Sequence, residues 1–143
     1  MLLHIIARGK IARTPEGELV DRYLKRIGWK VKHSELPETG GVVPAPKATP
    51  ARTVVLDETG KPLSSTAFAT LLGRWRDEGV RETRFLIGAA DGHAPEVKAE
   101  ADLLYSFGAA TWPHLLCRAM LAEQLFRATA ILAGHPYHRE GAR

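Results

Sequence analysis

Residues 84–92 read Arg84-Phe85-Leu86-Ile87-Gly88-Ala89-Ala90-Asp91-Gly92, an apolar run that stops on one glycine and meets a second four positions later. So short a run ending in glycine predicts a strand of a parallel sheet over Arg84–Gly88. Glycine at the carboxyl end of such a strand lets a ligand approach the main chain, which suits a nucleotide-like cofactor. The same residues also describe an ordinary strand-to-helix turn, and spacing alone favours that plainer reading. Ala89 and Ala90 do not complete a G-x-G-x-x-G, and no Gly-Lys-Ser/Thr of a P-loop follows.

On either side of this stretch, strand and helix signals alternate. Leu2–Ala7 is nearly all apolar and closes on Arg8-Gly9. Thr14-Pro15 reads as a cap and first-turn proline, Leu19, Val20, Tyr23, Leu24 and Ile27 recur at helical spacing, and Gly28 stands where a C′ glycine belongs. Lys30–Leu36 reads as a second strand and Thr53–Asp57 as a third. Between them, residues 37–52 form a Pro/Gly-rich loop that excludes helix through most of its length. Ser64 or Ser65 caps a helix with Phe68, Leu71, Leu72 and Trp75 on its core face, stopped by Gly79. A short helix is expected over Pro95–Leu103, an extended piece around Ala109–Trp112, and a long helix from His114 to Ala133 that ends at Gly134. This alternation predicts one α/β domain over residues 1–143, a mostly parallel sheet with helices on both faces. The long helix is apolar almost all round, which predicts a homodimer through residues 114–133.

The 143 residues carry 45% hydrophobic and 25% charged side chains, which excludes whole-chain disorder. A single cysteine, Cys117, excludes a disulfide framework and a cysteine-rich zinc site. Without a long apolar run or a cleavable signal, a soluble cytoplasmic protein with no membrane partner is expected. Net charge is +4, unevenly spread: residues 1–52 carry 10 basic and 5 acidic side chains, residues 53–104 carry 6 and 9, and residues 105–143 carry 4 and 2. Basic ends around an acidic middle point to a polyanionic partner.

Two further segments hold chemistry. Thr111-Trp112-Pro113-His114 opens the long helix, whose first N–H groups can receive an anion or a carboxylate. Within that helix Arg118 is expected in an ion pair, with Glu123 across a dimer, and Cys117 as inert core. The tail, His135-Pro136-Tyr137-His138-Arg139-Glu140, gathers an imidazole poised near neutral pH, a guanidinium suited to phosphate and an aromatic ring suited to stacking. A frayed polar terminus is the plainer reading of residues 134–143. His135 and His138 make a poor metal site, with no carboxylate partner beyond Glu140, and no metal is expected.

Phe85-Leu86-Ile87-Gly88 with Gly92, Thr111-x-Pro113-His114-x3-Arg118-x4-Glu123-Gln124-Leu125-Phe126-Arg127-Ala128, and Gly134-x-Pro136-Tyr137-His138 closely resemble the RlmH-type rRNA methyltransferases. Ile5-Ile6-Ala7-Arg8-Gly9-Lys10 and Leu56-Asp57-x2-Gly60-Lys61 extend the likeness nearly end to end. The resemblance implies the SPOUT fold, with a C-terminal trefoil knot and a homodimer. It implies methyl transfer from S-adenosylmethionine to N3 of a pseudouridine in the helix 69 loop of 23S rRNA, on the assembled 70S ribosome. By the same resemblance the cofactor pocket maps to Leu56, Gly88, Phe107, Gly108, Ala109, Ala110, Thr111 and Trp112, largely through main-chain atoms. His138 would assist deprotonation or orient the uracil edge, Arg139 would stabilise the developing anion or a phosphate, and Tyr137 would pack on the base. Arg22, Lys25, Arg26 and Arg118 would contact RNA. The chain departs from the family pattern at Ala89, at Gly108 and in the shortened 37–50 stretch, where an additional helix is usual. Those departures keep open an rRNA- or ribosome-binding protein of the same fold that has lost methyl transfer. A small dehydrogenase lacks both its fingerprint and an acidic ribose ligand.

Overall fold

Five strands, β1 (Leu2–Arg8), β2 (Val31–Leu36), β3 (Ala51–Pro62), β4 (Glu82–Ile87) and β5 (Leu103–Ser106), alternate with four helices, α1 (Pro15–Arg26), α2 (Ser65–Asp77), α3 (Pro95–Ala99) and α4 (His114–Leu132), in a computed structural model that describes residues 1–139. They form one sheet in the order β2-β1-β4-β3-β5, with each neighbouring pair parallel. The middle of the sheet is the apolar run first singled out: every residue of β4 is buried.

Strand alternation sends odd-numbered residues of β1 and β4 to one face. There Leu3, Ile5, Phe85 and Ile87 join Val54, Leu56 and Tyr105 against Phe68, Leu72 and Trp75 of α2 and Leu121, Leu125 and Phe126 of α4. Helix α1 packs beside α4 through Val20 against Ala119 and Ala122. The opposite face, Ile6, Val55 and Leu86, is covered by Val97 and Ala101 around α3 and by Val43 of the Pro/Gly-rich segment. Helices thus lie on both faces, but the second carries only α3's five residues, and a loop does the rest.

That loop is seated on buried charge. Glu82 accepts from the N–H groups of Lys47 and Ala48 at 2.9 and 3.2 Å, and Arg84 donates to the Pro44 carbonyl. His4 lies 3.6 Å from Glu82 and bonds Ser34 at 2.7 Å. A carboxylate buried in this way needs such donors, because an unpaired one costs several kcal/mol (roughly 3–5 on removing one partner). The strand pairing takes Ala51 and Arg52 out of the expected loop and into β3.

Local signals explain most element ends. Thr14 accepts from Gly17 N–H at 3.0 Å and Pro15 opens α1. Ser64, not Ser65, caps α2 through Ala67 N–H, while Ser65 donates to Gln124 at 2.7 Å. Gly79 and Gly134 take positive φ past α2 and α4. Gly28 does not serve as a left-handed terminator, because Ile27 already leaves α1 in an extended conformation. The expected helix over Pro95–Leu103 stops at Ala99. Asp102 pairs with Thr53 through both its main-chain N–H (2.8 Å) and its carboxylate (2.7 Å), and so starts β5. The extended piece around Ala109–Trp112 is not a strand.

Helix α4 finds most of its cover inside the chain, between α1 and α2 on the sheet, which removes the packing argument for a partner at most positions. Leu116 and Met120 remain half-buried, and Trp112, just ahead of the helix, is 41% exposed. No helix among the described residues is long and apolar enough to cross a membrane.

Candidate functional site

At the carboxyl ends of β3, β4 and β5 the chain opens a cleft of about 300 Å³. Ligands of open parallel sheets sit at this end, where neighbouring connections diverge. Leu56, Gly88, Phe107, Gly108, Ala110, Thr111 and Trp112 line it; Ala109 belongs to the same loop but not to the lining.

The floor is the tight turn after β4, closed by an antiparallel bridge between Ala89 and Gly92. The turn and ligand-cradle readings therefore describe one object. A Cβ on Gly88 would meet main-chain atoms of Gly92 at 3.0 Å, so glycine keeps the floor low. Gly108 takes φ +105°, a conformation rarely open to other residues, which accounts for glycine at this position.

One wall is held by Ser106. Its Oγ donates to the Gly108 carbonyl at 2.7 Å and accepts from the Gly108 N–H at 3.0 Å, and Trp112 Nε1 donates to the Phe107 carbonyl at 3.3 Å. Across the cleft, Thr111 Oγ1 donates to Glu58 at 2.6 Å. Asp57, Glu58 and Asp91 bring three carboxylates to the lining, with Lys98 3.5 Å from Asp57. Burial pushes the Asp57 carboxyl up, but hydrogen bonds from Thr59 and the charge of Lys98 outweigh it and hold Asp57 below its usual value.

Sequence reasoning passed over Asp57, Glu58, Ser106 and His93. No local signal in Asp57-Glu58 or around Ser106 points to a ligand. His93 directly follows the glycine turn, and burial holds its imidazole below its usual pKa, hence neutral near pH 7. Cys117 also lines the cleft, half-buried, with burial pushing its thiol up and making it a poor nucleophile.

The tail residues gather elsewhere. Tyr137 packs edge-on against Phe126, with ring centroids 4.6 Å apart, and donates to Glu123 at 2.8 Å. Arg127 pairs with Glu123 at 2.6 Å, lies over the Tyr137 ring at 4.7 Å and donates to His138 Nδ1 at 3.0 Å. Arg26 stacks over Phe126 at 4.5 Å, so one of the three expected RNA-contacting residues of α1 stands beside the tail; Arg22 and Lys25 are exposed on the same helix, and Arg139 is exposed as well. Glu140 lies outside the described residues.

Arg118 corrects two expectations. It is fully buried and spends its guanidinium on Glu35 (2.5 Å) and on the carbonyls of Arg8 (3.1 Å) and Gly9 (3.0 Å). It has no surface to offer RNA, and its partner is Glu35 rather than Glu123, which pairs with Arg127. The tail cluster therefore sits on the middle of α4, at Glu123, Phe126 and Arg127, about 9–15 Å along the helix axis from Cys117 of the cleft.

The residues at the cleft fit a cationic, adenosyl-sized methyl donor. Gly88 lets the turn that floors the cleft close on the Gly92 main chain, and the carboxylates suit a sulfonium and an ammonium group. No group of three or more His, Cys, Asp or Glu placed to hold a metal ion occurs among the described residues.

The chain is similar to known proteins over nearly its whole length. A family model described as "Predicted SPOUT methyltransferase" matches residues 1–138. Proteins named ribosomal RNA large subunit methyltransferase H are 70% identical in Novosphingobium aromaticivorans and 72% in Erythrobacter litoralis, each over 99% of this chain and all of that protein. The protein of that name in Bradyrhizobium diazoefficiens is 45% identical over 97% of this chain and 99% of its own length.

Proposed function

Because this chain belongs to the SPOUT methyltransferase family, we propose that it methylates N3 of a pseudouridine in the helix 69 loop of 23S rRNA, using S-adenosylmethionine and acting on the assembled 70S ribosome. It is an RNA methyltransferase of that family; the nucleotide, the donor and the ribosomal context are the proposal, and with them go a cytoplasmic location and the family's C-terminal trefoil. The observation that carries the reading is the glycine-floored cleft, lined by seven of the eight residues assigned to cofactor binding. A smaller set of retained surface charges would serve the rival, a binding protein without catalysis, but such a protein has no need of an open cleft at the strand ends.

When bound, S-adenosylmethionine supplies an already activated methyl group. Leu56, Gly88 and residues 107–112 would hold it, mainly through main-chain groups. What remains for side chains is to position the uracil edge and to manage the N3 proton. Arg127 donates to His138 Nδ1, which leaves the neutral ring's proton on Nε2. That tautomer suits donation to a base carbonyl, and so favours the orienting role of His138 over proton removal. Tyr137 supplies a ring face for stacking, and Arg139 a guanidinium for the phosphate or the developing anion. Arg22, Lys25 and Arg26 add phosphate contacts.

Tyr137, His138 and Arg139 are not among the residues that line the chain's own cleft, and the tail of one chain would complete the cleft of a second copy. The half-buried Leu116 and Met120 and the exposed Trp112 offer the surface for that pairing. The test is mass spectrometry of rRNA from a strain lacking this gene, re-supplied with the wild-type chain or with His138→Ala. The wild type should restore one methylated pseudouridine. The variant should restore at least tenfold less at limiting enzyme, with cofactor affinity within twofold of wild type by calorimetry. No change in methylation on deleting the gene, or no cofactor binding at millimolar concentration, would favour the rival.

A further inference from the structure

A second groove, of about 720 Å³, runs along the β5 edge of the sheet between β3 and α2. Three cations line it, Arg52 from the start of β3, Lys61 from its end and Arg74 from α2. None of the three stands in an ion pair among the described residues. Lys61 and Arg74 are exposed and Arg52 is half-buried. Asp102 is the acid in the lining, and its carboxylate already accepts from Thr53 N–H at 2.7 Å. The floor is apolar, with Leu63, Leu71 and Leu103. Two of these cations, Lys61 and Arg74, come from residues 53–104, a stretch that is otherwise net acidic with 6 basic and 9 acidic side chains.

The groove also leads to the cleft. Leu103 lines the groove and Phe107 lines the cleft, and the chain between them is four residue steps of near-extended backbone, about 13 Å. Lys61 pairs in register with Tyr105, a residue that lines the cleft. We infer that this groove grips the phosphodiester backbone of the substrate RNA next to the modified nucleotide, through Arg52, Lys61 and Arg74. The inference rests on the reading of the chain as an rRNA methyltransferase and adds the path by which RNA reaches the cleft. Cations carry most of the affinity for nucleic acid and position it without reading sequence. The apolar floor admits an unstacked base between the phosphates.

The test uses the full chain and ribosomes from a strain lacking the gene, titrated from low to moderate salt, with the triple variant Arg52→Ala, Lys61→Ala, Arg74→Ala beside the wild type. The variant should bind roughly tenfold more weakly near physiological salt, and the slope of log K against log salt should fall in magnitude by about 2 to 3, one counterion set per lost contact. Cofactor affinity and thermal midpoint should stay at wild-type values. Ribosome affinity within twofold of wild type, with an unchanged slope, would overturn the proposal while leaving the methyltransferase reading intact. Weaker binding with an unchanged slope would point to a ribosomal protein in the groove and would overturn it too. A wild-type chain that neither binds nor methylates ribosomes would overturn both.

Discussion

Arg118→Ala should lower folding stability by about 3 kcal/mol, read from denaturant unfolding, and should do so without touching any residue of the cofactor cleft. The guanidinium is buried where α4 crosses the ends of β1 and β2, and it ties Glu35 to the Arg8 and Gly9 carbonyls. Removing it strands a carboxylate and two main-chain acceptors at once. Lysine in its place should recover little, because one ammonium cannot span three acceptors in the guanidinium's planar fork. The same contact predicts a pH dependence. Burial pushes the Glu35 carboxyl up, but the Ile11 N–H and the Arg118 guanidinium outweigh it and hold it below its ordinary value. A carboxylate with a lowered native pKa contributes stability that is fully present above its unfolded value, near 4.5, and is lost as pH falls through the native one. The wild type should therefore lose stability below about pH 4.5 more steeply than Glu35→Gln. Equal acid slopes for the two proteins, or an Arg118→Ala change below about 1 kcal/mol, would remove the clamp from the account of stability.

Gly60→Ala should cost more at the cleft than its single methyl suggests. Strand β3 pairs with β5 twice, through Leu56 and again through Lys61, both opposite Tyr105, and the residues between bulge out towards the cleft. Gly60 brings the chain back. A Cβ there would lie 2.6 Å from the Leu104 carbonyl carbon and 2.8 Å from Tyr105 N, main-chain atoms that cannot rotate aside. Either the bulge or β5 must move, and β5 carries Tyr105, Ser106 and the start of the 107–112 loop. The expected result is at least a tenfold loss of cofactor affinity by calorimetry, with destabilisation of roughly 1–3 kcal/mol from overpacking. Gly28→Ala is the control: nothing lies within 4 Å of its added Cβ and its φ is not positive, so both quantities should stay at wild-type values. Cofactor affinity of Gly60→Ala within twofold of wild type would show that the bulge does not shape the cleft.

These two positions mark where the sequence could and could not be read. Elements whose signals are local were legible: the caps at Thr14 and Ser64, the terminators Gly79 and Gly134, and the buried run through Phe85–Ile87. Strand β5 was not, because Leu103-Leu104-Tyr105 is too short to distinguish from helix until Asp102 is seen to bond Thr53, 49 residues away. The cleft was legible as a family likeness, through Gly88 and the 107–112 loop, and its carboxylates were passed over because nothing in Asp57-Glu58 marks a turn towards a ligand. Arg118 was misread for the same reason as β5. Its partner Glu35 is 83 positions away, and only the packing of α4 across β1 and β2 brings them together. Prolines and glycines in the 37–50 stretch excluded helix correctly, yet no local pattern announces that Glu82 and Arg84 would anchor it.

The absence of the tail residues from the lining of their own chain's cleft has a consequence for mixtures. Under the proposed pairing, a Gly60→Ala chain and a His138→Ala chain are each impaired at least tenfold, but their faults fall in different halves of the catalytic unit that two chains would form. Blended in equal amounts and allowed to exchange partners, half of the pairs should be hybrids, each with one unit free of both faults, so that roughly a quarter of normal turnover returns. A blend as inactive as its components would mean that each chain works, or fails, by itself.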